Sequence, residues 1–177
     1  HWYPFSGQYN HLRDNFLGKE YATYLNNYIK NINSTLTKYG YNDIPIFITE
    51  TGQYSGTPSS QPPVMVSPEF HSERKQALDL YKIYIYSLTN GVKKIFWVTL
   101  TEWRNFGGQP NGVFDNVGLI NNPQNDGQSH KKLAYYTYKK MVEVLDGSDW
   151  NNIQTTHESD GIYIYKFTGG GFNETGK

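Results

Sequence analysis

The sequence predicts an α/β fold: three strand–helix units followed by the start of an all-β appendage. Three observations predict it. Two apolar runs of strand length, residues 45–48 and 94–100, each precede a long loop and then a helical pattern. Strand and helix signals alternate from residue 1 to residue 147, as in a parallel sheet with crossover helices. From residue 161 the chain becomes rich in β-branched and aromatic residues and then reaches Gly169-Gly170-Gly171.

Each element has its own reason. His1-Trp2-Tyr3-Pro4 reads as a strand end running into a loop, because Pro4 cannot donate to a ladder. Ala22, Leu25, Ile29, Ile32 and Leu36 recur at helical spacing, and Gly40 is a stop. Ile46, Phe47 and Ile48 suit a strand buried on both faces, ending at Glu50 and the turn residue Gly52. Residues 51–68 are rich in Pro, Gly and Ser and form a long rim loop. Ser72-Glu73 starts a second helix whose apolar stripe is Ala77, Leu80, Tyr81, Tyr84, Ile85 and Leu88, closed by Asn90-Gly91. Residues 94–100 are a third strand, and a Gly- and Asn-rich loop follows to about residue 128. Residues 132–145 are a third helix, ending at Asp146-Gly147. Residues 161–167 are a β-run. Both post-strand loops exceed ordinary connection lengths, and long ordered loops on one rim carry function.

Composition narrows the function. Lys plus Arg and Asp plus Glu are 16 each, so the balance argues against a nucleic-acid polyanion or an anionic membrane as partner. Aromatic residues make up 16% of the chain, which at zero net charge favours sugars over bases as stacking partners. There is no cysteine, which excludes disulfides and thiolate metal sites. Asn33-Ser34-Thr35 and Asn173-Glu174-Thr175 match the glycosylation sequon, a short pattern that also arises by chance. The five histidines are scattered, so no metal site is expected, and no phosphate loop, dinucleotide fingerprint or nucleophile elbow occurs.

Glu50 stands where a buried strand would end, at the C-terminal rim of the sheet. In barrels of strand–helix repeats that rim holds the chemistry. A carboxylate there serves as nucleophile, general base or metal ligand; the alternative is a structural rim glutamate paired with Arg or Lys.

Three pieces together resemble the C-terminal part of a (β/α)8-barrel glycoside hydrolase of the large retaining clan that includes cellulase, mannanase and xylosidase families. His1-Trp2-Tyr3-Pro4 is similar to the end of barrel strand six, Ile48-Thr49-Glu50-Thr51-Gly52 to the nucleophile strand seven, and residues 96–102 to strand eight with its sugar-platform tryptophan. Gly118-Leu119-Ile120 and residues 132–136 resemble the approach to the last helix, with Leu133 where proline is often found. The resemblance implies a partial barrel over residues 1–147, strands six to eight with their helices, and the start of a C-terminal β-domain over 148–177.

The resemblance also implies roles. Glu50 would be the nucleophile of retaining hydrolysis, and Tyr3 the phenol that orients it and keeps it ionised. His1 would hydrogen-bond substrate or a catalytic carboxyl group, or be incidental. Trp97 would be the sugar platform, or simply barrel packing. Trp103, Tyr54, Phe106 and Trp2 would line outer subsites or anchor their loops. Glu102, Arg104 and Asn105 would bind hydroxyls or form a surface ion pair worth little. No cofactor is implied. The clan's acid/base glutamate falls before His1, so the expected partner is the missing N-terminal half of the barrel or another copy of the chain. The substrate would be a β-linked oligo- or polysaccharide. Two rival readings remain: a non-catalytic carbohydrate-binding barrel remnant and a self-assembling half-barrel module.

Overall fold

Helix α1 spans Lys19–Lys38 in the computed structural model, which describes residues 19–59, 70–108, 110–126, 129–159 and 162–169. Leu25 and Ile29, one helical turn apart, are buried in the main core. The helix ends as its glycine predicts: Gly40 has φ +84° and the N–H of Tyr41 donates to the carbonyl of Leu36 at 2.9 Å. Helix α2 spans Glu73–Thr89 and is capped by Ser72, whose hydroxyl accepts from the N–H of Lys75 at 3.2 Å. Leu80 and Ile83 are fully buried. Each such side chain contributes about 1.5–3 kcal/mol on removal from water. Helix α3 spans Leu133–Leu145 and buries Ala134, Met141 and Leu145, and its Tyr138 meets Tyr84 of α2 edge to face at 5.4 Å.

Strands β1 (Phe47–Thr51) and β2 (Lys94–Trp97) pair in parallel. Phe47 stands opposite Lys94, Ile48 opposite Ile95, and Thr51 opposite Trp97. Ile48 to Thr51 is a step of three residues, while Ile95 to Trp97 is a step of two, so β1 carries one extra residue in a bulge. Ile48 belongs to the helix-facing core, and Ile46, Ile95 and Trp97 pack against it.

Strands β3 (Gln154–Ser159) and β4 (Ile162–Lys166) form a separate antiparallel ribbon. Tyr163 and Tyr165 of β4 meet Tyr86 of α2 edge to face, at 5.3 and 6.2 Å. The appendage expected from residue 148 therefore packs on the same core as the helices, together with Trp150, Ile153 and Phe167.

The structure establishes α/β architecture in a coarser form than the expected three-strand barrel portion. Among the described residues the sheets are two two-stranded ribbons, one parallel and one antiparallel. The strand expected at His1-Trp2-Tyr3 lies outside the described residues. The expected 94–100 strand is also shorter. The N–H of Val98 still donates to the carbonyl of Thr51 at 2.8 Å, but the chain then leaves β1, and Thr101 pairs with Ile120 instead. Two paired strands make an α/β unit and do not close a barrel.

Candidate functional site

The bulge in β1 sets the rim. Without it, Glu50 would be in phase with Ile48 and turned toward the helices. With one extra residue, Thr51 takes that phase: it pairs with Trp97 and is fully buried, while Glu50 is only half-buried. Bulges beside functional sites re-aim side chains in this way.

The turn after Glu50 is held from beneath by α2. The Gln53 amide donates to the Asp79 carboxylate at 3.0 Å, and the Gln53 carbonyl accepts from the Gln76 amide at 2.8 Å. Gln76 also donates to the carbonyl of Val117 at 3.2 Å, so one α2 side chain ties both rim loops together. Asp79 is fully buried and paired with Lys75 at 3.1 Å. Burial pushes its carboxyl up to about 6, against the lowering effect of Lys75, of the Gln53 hydrogen bond and of Lys82. Farther along, the loop is closed at its base by two backbone hydrogen bonds between Gly56 and His71, at 2.7 and 2.9 Å.

The loop after β2 is organised by two carboxylates. Asp115 accepts the backbone N–H groups of Asn105, Phe106 and Gly112 at 2.9, 2.9 and 3.1 Å. Glu102 forms a buried ion pair with Lys132, both side chains being 5% exposed. The Lys132 ammonium also donates to the Ser55 hydroxyl at 2.9 Å and to the Asn116 carbonyl at 3.2 Å. Three segments distant in sequence thus meet on one ammonium. Gly118 lies against this pair so closely that a Cβ there would sit 2.3 Å from the Glu102 backbone nitrogen.

Between the loops lies a groove of about 570 Å³. Its walls include Ser55, Phe70, His71, Glu73, Glu102, Arg104, Asn111 and Lys132. Glu73 approaches His130 at 3.2 Å and accepts the first N–H of α3, from Leu133, at 2.9 Å. Glu50 is not among the groove's lining residues. Among the described residues, no three His, Cys, Asp or Glu side chains converge as metal ligands.

The structure gives the residues expected from sequence distinct places. Glu50 sits at the rim. Trp97 stands beside Thr51 at the same level, half-buried, with its indole N–H donating to the Val117 carbonyl at 2.9 Å. Tyr54 is 1% exposed and stacks on His71 at 4.3 Å, as an anchor of its loop. Trp103 stacks on Phe106 at 4.4 Å at the surface. Glu102 is held by Lys132 inside the groove wall rather than in an exposed ion pair, because the loop brings the two together across 30 residues of sequence. His1, Trp2 and Tyr3 lie outside the described residues. The sequence reading missed Phe70 and gave no site role to His71, His130 or Lys132. No local spacing signals these, since loop folding alone assembles them.

In comparisons with known proteins, no family model matches this chain and no curated protein matches it.

Proposed function

We propose that the chain is the nucleophile-bearing, C-terminal portion of a (β/α)8-barrel retaining glycoside hydrolase, with β1 and β2 as its seventh and eighth strands and β3–β4 as the opening of a β-appendage. The observation that carries this reading is the bulged end of β1, which takes Glu50 out of the helix-facing phase at the C-terminal end of a parallel strand. The resemblance read from the sequence supports it.

In this reading a Glu50 carboxylate oxygen attacks the anomeric carbon of a glycoside. The bond from that carbon to the leaving oxygen breaks, and a glycosyl ester forms; water later cleaves the ester with net retention. Tyr3 orients Glu50 and His1 contacts substrate or a carboxyl group, while Trp97, packed on the helix side of the sheet, takes the barrel-packing role instead of the sugar-platform one. The acid that protonates the leaving oxygen comes from outside these 177 residues, on a partner segment pairing with the β1–β2 sheet. No cofactor takes part. The isolated chain turns over ordinary glycosides weakly or not at all, and it self-associates through the same sheet.

An activated substrate tests this without the missing acid. A sugar fluorinated beside its anomeric carbon, with a dinitrophenolate leaving group, needs no protonation to depart. Incubation with gluco-, manno- and xylo-configured reagents should add one sugar residue to the chain's mass. Peptide mapping should place it on Glu50, and Glu50→Gln should abolish it. Absence of any adduct, or an adduct that survives Glu50→Gln, overturns the proposal.

A further inference from the structure

We infer that the groove between the two rim loops binds a neutral oligosaccharide at a site distinct from the Glu50 rim. The choice of carbohydrate rests on the hydrolase reading; the location rests on the groove's own chemistry.

The carboxylates that line the groove, and the Lys132 ammonium, are already compensated within the chain. Glu102 is paired with Lys132, Glu73 with His130 and the first N–H of α3, and Asp115 with three backbone N–H groups. A metal ion would have to break those contacts and leave buried charge unpaired. Among the described residues, a polyanion would find Arg104 as its one unpaired cation in a wall that also carries Glu73, Glu102 and Asp115. What remains on offer is of another kind. Among the described residues, the Arg104, Asn105 and Gln124 side chains line the groove with no partner of their own. The two amides present both donors and acceptors, and the guanidinium presents a planar fork of donors. Sugar hydroxyls, which both donate and accept, need such mixed partners to leave water without loss. Phe70 at the lip is 68% exposed, an apolar face set in a polar wall. A pyranose matches that combination, with C–H groups on its faces and hydroxyls at its edges. A groove of about 570 Å³ lies in the range of small-molecule sites.

The test is calorimetric titration of the full 177-residue chain with cellohexaose, mannohexaose and xylohexaose, and with hexagalacturonate as the charged comparator. The expected result is binding of at least one neutral hexaose in preference to hexagalacturonate. Phe70→Ala and Gln124→Ala should each weaken it about threefold or more, the scale of one stacking or hydrogen-bonding contact. Both side chains are exposed, so the variants should keep the parent's circular dichroism and thermal midpoint; Arg104→Ala is a third variant of the same kind. Failure of all three neutral hexaoses to bind, tighter binding of hexagalacturonate, or affinity untouched by all three variants overturns the inference. Trapping at Glu50 is read separately by mass. Loss of the adduct with groove binding intact refutes the hydrolase reading alone, and the reverse outcome refutes the groove alone.

Discussion

Replacing Asp79 by Asn should stabilise the protein at neutral pH, and the structure sets the size of the effect. Asp79 is fully buried under the turn that follows Glu50, and one of its oxygens has no hydrogen-bond partner. Its carboxyl is raised from 3.8 to about 6, with burial as the leading cause and Lys75 opposing it. A shift of roughly two units corresponds to about 3 kcal/mol. The sign follows from proton counting. Below about pH 4 folded and unfolded chains both hold the proton, and the native preference for the neutral acid is fully expressed. Between about pH 4 and pH 6 the unfolded chain has lost its proton and the folded chain still holds one, so stability falls as pH rises. Above about pH 7 the loss is complete. Asn is neutral throughout and still presents an acceptor to the Gln53 amide, which sits 3.0 Å from the carboxylate now. The Lys75 pair it forfeits is already counted in that net shift, but the amide's own N–H groups would be buried beside the oxygen that has no partner now and take back part of the gain. Asp79→Asn should therefore gain about 2 kcal/mol at about pH 7.5 and nothing at about pH 4. Urea unfolding of both proteins across that range measures it. A difference that does not grow with pH, or a less stable variant at about pH 7.5, refutes the reasoning.

Two further substitutions probe the rim. Lys132→Met should cost about 3–5 kcal/mol, because it strands the buried Glu102 carboxylate, and adding Glu102→Leu should recover much of that loss in denaturant melts. Gly118→Ala should destabilise by more than about 2 kcal/mol, since its Cβ would sit 2.3 Å from backbone nitrogen, an atom that cannot swing away as a side-chain tip can; an unchanged thermal midpoint would contradict this.

Elements whose cause is local were legible in the sequence. Leu25 and Ile29 mark the buried face of α1, Ser72 caps α2 as its residue type suggests, and α3 begins one residue after the expected 132. The strand end at Glu50 was legible because an apolar run, a carboxylate and a glycine follow one another closely in sequence. Strand β3 was not, since Gln154-Thr155-Thr156-His157-Glu158-Ser159 is exposed along nearly all its length and shows no apolar alternation. It is a strand because it pairs with β4, its neighbour across the two residues Asp160-Gly161, and that dipeptide, not β3's own pattern, was the signal to read. The bulge in β1 was invisible, because it exists only relative to β2. Glu102 shows the same limit at the site: its type suggested exposure, and Lys132, supplied by a distant loop, makes its burial tolerable.

The uncovered face of β1 and β2 leads to the last prediction. Ile48, Ile95 and Trp97 belong to the helix side, so Phe47, Lys94 and Phe96 share the other face. Phe47 is 43% exposed and Phe96 51%, and the Lys94 ammonium lies 5.3 Å from the Phe47 ring centre, which covers only part of it. Covering both rings would contribute roughly 1–3 kcal/mol, about half the value of burying two phenylalanines from full exposure. Pairing along a strand edge would add to this. Alone this falls short of the roughly 4 kcal/mol of a millimolar complex, so edge pairing must supply the rest and association stays weak, visible only at high concentration. Sedimentation should therefore show a mass that rises with concentration, and Phe47→Ser with Phe96→Ser should suppress the rise while leaving the helix-side core intact. A monomer at every concentration, or association undiminished in the double variant, would mean that this face does not pair with another copy. The self-association put forward with the hydrolase reading would then fail, while covalent trapping at Glu50 would still decide the chemistry.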